Sequence, residues 1–584
     1  MLAERKGAAA TVSTAKSACF VQDAPSAARF VADAKRRNGR DREEPMMLRR
    51  LSLGLVLPIV VLAAPLVAAA PAAASIDPAS CSALAGATIE RAAIGLPTTG
   101  AAAASASLVD DPVNGRFCKV LGAIHPVDPA APDIHFQVNL PVDWNRKALQ
   151  IGGGGYDGTL VNAEAARFPA PDKPSPLKQG YATFGSDSGH VAQPGQDAAA
   201  FAANAEALQN FAGDQLKKTH DVAMALIRRA YGAGPARTYF QGNSQGGHEG
   251  FIVVQRWPQD YDGVVAIHPV YDFVALQTDG VLAGQAVYNA PGAWLSPDKV
   301  ALVSDKVLAA CDGLDGLKDG LIGNVRACDA AFDPASLRCA GGADGGPDCL
   351  SDAQIRTLKT LGSPMPLHVR LAGGIDRFGQ WPVLEGASMS RFNPFGKAAA
   401  RPRPPGPNDS FLYMMGDQMV RHMLVRDVSY DSLGFDPALQ AAALQALSRQ
   451  MDASDADISA FQKRGGKLLL MHGTVDMAVT PYNTIAYYER LQARFGADGL
   501  RRFVRFYVAP GFGHGDGAFQ VGWDSLGTLD AWVERGVAPG PQVAFDTAKP
   551  TAGRSRPLCE YPAYPKYAGA GDPNAAASFT CAMP

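Results

Sequence analysis

Gly242-Asn243-Ser244-Gln245-Gly246-Gly247 is the stretch on which the fold turns. An apolar run, 237–241, leads into it, and the residues up to Trp257 can form a helix. A tight strand-to-helix turn needs small residues on both sides, so that the serine hydroxyl stands alone above a sheet. The helix amino terminus beside it also favours developing negative charge. Taken alone the pattern is weak, arising by chance roughly 0.3 times in a chain this rich in glycine. Its weight comes from what surrounds it.

A serine hydroxyl is a poor nucleophile near neutral pH, so a base must take its proton and a carboxylate must orient that base. Two later segments supply them. The apolar run 467–471 ends in His472-Gly473-Thr474-Val475-Asp476, which puts Asp476 in a loop just past a strand. The run 503–508 ends in Ala509-Pro510-Gly511-Phe512-Gly513-His514-Gly515. The chain order Ser244, Asp476, His514 is that of an α/β-hydrolase triad. His472 reads as a structural histidine at a strand end, and Asp516 is too near His514 in sequence to orient its ring. His248 and His268 are expected to turn away from the elbow.

Further strands are expected at 148–151, 181–184 and 264–267, and Val222, Leu226, Ile227 and Ala230 form one helical stripe. Alternating strands and helices predict an α/β fold with a mainly parallel sheet. Acyl transfer also needs N–H donors aimed at the oxyanion. The backbone of Gln245 is one expected donor. The other should come from Ile151-Gly152-Gly153-Gly154-Gly155-Tyr156, where Gly155 is preferred to Gly154. No Gly-Lys-Ser/Thr follows, which disfavours phosphate binding.

The 584 residues allow one large core with an insertion, or two to three domains. A formal net charge of −2 gives no footprint for nucleic acid. Residues 1–45 read as an extension upstream of a second start at Met46-Met47. Residues 46–74 read as a signal peptide: Arg49-Arg50, an apolar run from Leu51 to Ala69, and Ala72-Ala73-Ala74. A retained anchor is the competing reading, disfavoured by Pro58 and Pro65. The mature chain is therefore expected to begin near Ser75, to be secreted or periplasmic, and to have no stable membrane insertion.

Without Cys19 the mature chain keeps an even eight cysteines, which in an exported protein suggests four disulfides. Neighbouring couples propose Cys81 with Cys118, Cys311 with Cys328, Cys339 with Cys349, and Cys559 with Cys581. Zinc is disfavoured by the lack of Cys-x-x-Cys. The core is expected at 75–269 and 466–584, interrupted by a Gly-, Pro- and Asp-rich insertion at 270–465. The tail from Gly540 is expected on the surface.

These motifs together resemble the tannase and feruloyl esterase family. The likeness includes Ser186-Asp187-Ser188-Gly189-His190 and 311–320 besides the glycine loop, the elbow and the two later loops. The resemblance implies an α/β-hydrolase core whose insertion is a lid over an aromatic acyl group. Trp381, Phe392, Phe395, Phe411 and Tyr413 lie in that insertion, equally compatible with its own core. It also implies a structural calcium ion held by Asp312, Asp315 and Asp319 with the carbonyls of Leu317 and Leu321, a hard-oxygen set suited to Ca2+. Family members commonly join a cysteine before the serine to one after the histidine. Here Asn243 and Gly515 stand instead, and hydrogen bonds from Asn243 are expected to substitute, at some cost in loop rigidity.

The expected protein is an exported serine esterase acting on small esters of aromatic acids (hydroxycinnamate, gallate or terephthalate) with no organic cofactor. A serine peptidase or acyltransferase on the same fold, or a non-catalytic calcium-dependent binding module, are the rivals.

Overall fold

Six strands run parallel through the centre, in the order Ala182–Ser186, Lys147–Ile151, Arg237–Asn243, Gly263–Ile267, Lys467–Gly473 and Val504–Ala509. The computed structural model describes residues 75–400 and 404–584, so the upstream extension, the signal segment and Cys19 lie outside the described residues. All six strands coincide with the runs expected from sequence, their ends shifted by at most two residues. Leu468, Leu469, Leu470 and Met471 are all fully buried, which is why such a strand reads as a continuous apolar run and not as an alternation.

The sheet is wider and more mixed than a parallel one. Ile134–Pro141, Gly115–His125, Gly100–Asp111 and Thr88–Ile89 extend one edge as antiparallel strands. Ser555–Glu560, Gln542–Asp546 and Val521–Gly522 extend the other. Two strands of the tail thus belong to the main sheet, with Ala544, Leu558 and Cys559 buried, so the segment from Gly540 does not simply lie on the surface. Antiparallel pairing with the neighbouring strands gives these weakly patterned residues their structure.

Between Ile267 and Lys467 the described residues add no strand to this sheet. They form helices, among them Phe273–Tyr288, Pro297–Cys311 and Phe411–Gln418. The first and last of these touch through glycine: a Cβ on Gly280 would stand 2.4 Å from the Leu412 carbonyl, and one on Gly416 2.3 Å from that of Gln277. The inserted helices share one apolar core with the sheet, where Phe251 and Val264 pack with Leu358, Trp381 and Leu444. The four disulfides join 81 to 118, 311 to 328, 339 to 349 and 559 to 581, the neighbouring couples proposed from sequence. Among the described residues no helix is long and apolar enough to cross a membrane.

Candidate active site

Strand Arg237–Asn243 passes into helix Gln245–Arg256 through Ser244 alone. Ser244 sits at φ 62° and ψ −123°, a left-handed position that a non-glycine residue adopts only when its surroundings enforce it. The enforcement is steric and visible. A Cβ on Gly242 would lie 2.0 Å from the Gly246 carbonyl oxygen, one on Gly246 2.9 Å from that of Gly153, and one on Gly247 2.6 Å from that of Ile267. The Ser244 N–H donates to the Ile267 carbonyl at 3.0 Å, tying the elbow to the adjacent strand.

Asp476 and His514 meet as the sequence implied. The parallel strands Lys467–Gly473 and Val504–Ala509 end side by side, and a Cβ on Gly473 would collide with the Phe512 carbonyl at 2.0 Å, so the two loops lie in contact. His514 Nδ1 donates to Asp476 Oδ2 at 2.7 Å, while Asp476 Oδ1 accepts from the N–H groups of Ala478 (2.8 Å) and Val479 (2.9 Å). Burial would raise this carboxyl, yet the facing His514 and His268 and the His472 hydrogen bond hold it well below the usual carboxylate range. It is therefore ionised near neutral pH.

Ser244 and His514 both line one cavity of about 270 Å3. Among the described residues the Ser244 hydroxyl has no hydrogen-bond partner, and such catalytic contacts are commonly long before substrate binds. Phe392 and Phe411 of the insertion close the cavity, Phe392 meeting the His514 ring edge-on at 5.5 Å. Trp381, Phe395 and Tyr413, by contrast, are buried in the insertion. Trp381 Nε1 donates there to Asp279 at 2.7 Å.

The glycine loop presents a single free donor. The N–H of Gly152 goes to the Gln241 carbonyl (3.0 Å), that of Gly153 to Glu249 Oε2 (2.9 Å) and that of Gly154 to Asp157 Oδ1 (2.8 Å). Gly155, at φ 63° and lining the cavity, has no acceptor for its N–H among the described residues. Gln245 lines the same cavity at the first position of its helix, where backbone N–H groups have no intrahelical acceptor.

His268 was expected to turn away and does not. It is fully buried, with Nδ1 2.8 Å from Asn243 Oδ1, Nε2 4.0 Å from Asp476 Oδ2, and its ring centroid 5.1 Å from that of His514. Burial first, opposed by Asp476 and reinforced by His472 and His514, pushes this imidazole well below the usual histidine range. His472 is buried and bonded to Thr484 Oγ1 and the Val479 carbonyl, a structural role, although it also lies 3.3 Å from Asp476. His248 faces the carbonyls of Val270 and Met451, away from the catalytic group.

The acidic loop of the insertion folds on its own backbone. Asp312 Oδ1 accepts from the N–H groups of Asp319 and Gly320, Asp315 from those of Leu317 and Gly323, and Asp319 from that of Leu321. Asp319 also pairs with Arg556. Burial, then the neighbouring Asp319 and Asp312, push the Asp315 carboxyl up to about 6. Among the described residues, ligand atoms within 4.8 Å of one another gather at His268, Asp476 and His514, and the three aspartates are more spread than that. Three neighbouring carboxylates with backbone carbonyls form an all-oxygen donor set of the kind a hard divalent cation takes.

A parallel α/β sheet with a strained serine between strand and helix, and an Asp–His pair at the ends of the next strands, defines an α/β-hydrolase. Residues 118–582 match the family described as tannase and feruloyl esterase, and the chain belongs to it. It is a carboxylic ester hydrolase. An uncharacterized esterase of Agrobacterium fabrum is 43% identical, over 86% of this chain and 93% of the relative. The mono(2-hydroxyethyl) terephthalate hydrolase of Piscinibacter sakaiensis is 32% identical, over 80% and 85%. The crystal structure of feruloyl esterase B from Aspergillus oryzae covers 86% of this chain and all of its own, with a TM-score of 0.72 at 23% identity.

Proposed function

We propose that the protein is an exported serine esterase that hydrolyses esters of aromatic carboxylic acids through an acyl-enzyme on Ser244. The observation that carries this reading is the strained Ser244 sharing a cavity with a His514 that is hydrogen-bonded to a buried, ionised Asp476. His514 takes the serine proton as Oγ attacks the ester carbonyl, then returns it to the leaving alcohol. Asp476 fixes the ring with Nδ1 protonated, so Nε2 is the atom that accepts. The N–H groups of Gln245 and Gly155 stabilise the oxyanion. Water then repeats the sequence and releases the acid.

The aromatic acyl group is supported by the cavity. Apolar cavities near 150 Å3 hold benzene, so about 270 Å3 takes a substituted ring. Phe273, Leu276, Phe392, Phe411 and Met415 supply apolar walls. Relatives named probable feruloyl esterase and mono(2-hydroxyethyl) terephthalate hydrolase act, by those names, on esters of such acids. When bound, a calcium ion at Asp312, Asp315 and Asp319, with the carbonyls of Leu317 and Leu321, would stabilise the insertion and take no part in hydrolysis. Export rests on the signal-like segment 46–74 and on four paired disulfides.

Hydrolysis of methyl ferulate, methyl gallate and a terephthalate monoester, with Ser244→Ala as control, tests the reading. Turnover of at least one aryl ester, lost in Ser244→Ala, is expected; clear preference for short aliphatic esters would overturn the aromatic assignment.

A further inference from the structure

Two acids, one fully buried and one half-buried, lie against the glycine loop and take no part in the triad. Glu249, on the helix that follows Ser244, is fully buried; Oε2 accepts from the Gly153 N–H at 2.9 Å and Oε1 from Gln215 Nε2 at 2.9 Å. Asp157, just past the loop, accepts from the Gly154 N–H at 2.8 Å and from Ser188 Oγ at 2.8 Å. The fit leaves no slack. A Cβ on Gly152 would lie 2.5 Å from Glu249 Oε2, and one on Gly153 2.1 Å from Asp157 Oδ1.

We propose that Asp157 and Glu249 are positioning residues: with one proton kept between their carboxyls, they bind the Gly153 and Gly154 N–H groups and thereby leave the Gly155 N–H aimed at the oxyanion. This rests on the reading of Ser244 as nucleophile. Two ionised carboxylates in one buried site repel, so removal of the shared proton pushes the acids apart and takes the loop with them. Burial, and then the charge of Asp157, raise Glu249 well above its ordinary range, while burial also raises Asp157, so the proton rests on Glu249 near neutral pH.

Arg167 is the cation among the described residues that faces both acids; its charge pulls Glu249 down without outweighing burial and Asp157, and its Nη2 donates to the Gly152 carbonyl at 2.8 Å. Asp187 adds negative charge beside Asp157. His190 lies against Gly158, where burial pushes its imidazole down to about 4, so it is neutral. Tyr261 lies within electrostatic range of Glu249, and burial keeps its phenol protonated.

The test measures kcat and KM against pH with an aryl methyl ester, in wild type, Ser244→Ala, Glu249→Gln, Glu249→Ala and Asp157→Ala. Both alanine variants are expected to lose roughly ten-fold to hundred-fold in kcat with KM within about two-fold, approaching the loss of one oxyanion donor. Glu249→Gln cannot ionise; with its oxygen in the Oε2 position it keeps an acceptor for Gly153, and its NH2 then faces the Gln215 amide, which has to turn its oxygen toward it. The variant should recover most of the turnover and abolish the alkaline limb of the wild-type profile, while the acid limb stays. If the alanine variants fail to fold, the limb in Glu249→Gln decides. Alanine variants with wild-type kcat, or an unchanged alkaline limb in Glu249→Gln, overturn the proposal. Hydrolysis surviving in Ser244→Ala overturns instead the reading beneath it.

Discussion

The His268 imidazole donates Nδ1–H to Asn243 Oδ1 across 2.8 Å while its Nε2 stands 4.0 Å from Asp476 Oδ2. One buried ring thus lies between the residue before the nucleophile and the carboxylate that orients the base, hydrogen-bonded to the first of them. Asn243 and Gly515 occupy positions where similar proteins carry a disulfide. The hydrogen-bonded bridge from His268 to Asn243 is the polar link found here, and it does not reach the residue after His514.

Removing either partner should loosen the triad. Asn243→Ala leaves a buried imidazole donor unpaired, costing about 1–3 kcal/mol. His268→Ala opens a void against Phe512 and His514. Both variants are expected to melt several degrees lower and to lose about ten-fold in kcat, with KM little changed. Thermal unfolding and steady-state kinetics on one preparation check this; two variants indistinguishable from wild type would make the bridge incidental.

Asp279 predicts a pH dependence of stability. Its carboxyl is pushed up to about 8 by burial, against the pull of the Trp381 hydrogen bond, from an ordinary 3.8. A raised folded value means that the stabilisation is complete below about 4 and is lost as pH rises toward 8. Asp279→Asn keeps an acceptor for Trp381 and cannot ionise. Its melting temperature relative to wild type should therefore climb between pH 5 and pH 9. A constant difference would show that Asp279 does not titrate in this range.

Calcium, if held by the acidic loop, should be seen in stability and not in chemistry. Dialysis against a chelator is expected to lower the melting temperature, and Ca2+ should restore it. Asp315→Asn should blunt that response while leaving kcat for a small aryl ester within about two-fold. Equal melting curves with chelator and with millimolar Ca2+ would argue against the ion.

Acyl preference follows from what lines the cavity. Besides His514, the lining side chains carry no ionisable group, and Gln245 and Gln277 are its amides. Burying a free carboxylate without a cation is costly. Methyl esters of neutral phenolic acids should therefore exceed a terephthalate monoester by about ten-fold or more in kcat/KM. The reverse order would point to Arg391, which lies over the Phe392 ring at 4.9 Å, as a carboxylate partner.

What the sequence revealed and concealed has a physical pattern. The six parallel strands are short, buried on both faces and followed by glycine or polar turn residues, so each is legible from a handful of neighbouring residues. The elbow, the acid loop and the histidine loop are legible for the same reason. Gly100–Asp111, rich in Ala and Ser, carries no such signal and is a strand because Gly115–His125 pairs with it. His268 looked like any strand-end residue. Its place beside Asp476 depends on Gly263–Ile267 pairing with Lys467–Gly473, where the His268 N–H reaches the Met471 carbonyl at 2.9 Å. Phe392 and Phe411 differ from Trp381, Phe395 and Tyr413 only in tertiary packing, which decides who faces the cavity. Glu249 looks like an ordinary charged helix residue until the glycine loop is laid on it.

The most direct measurement of the central claim is to form the phosphonyl-enzyme with a fluorophosphonate, fluoride leaving as the serine oxygen bonds phosphorus, and to locate the adduct by peptide mass spectrometry. One adduct per chain on Ser244, formed in step with the loss of ester hydrolysis and greatly slowed in His514→Ala, is the expected result. Full modification of Ser244 with hydrolysis intact, or inactivation with the adduct elsewhere, would contradict it.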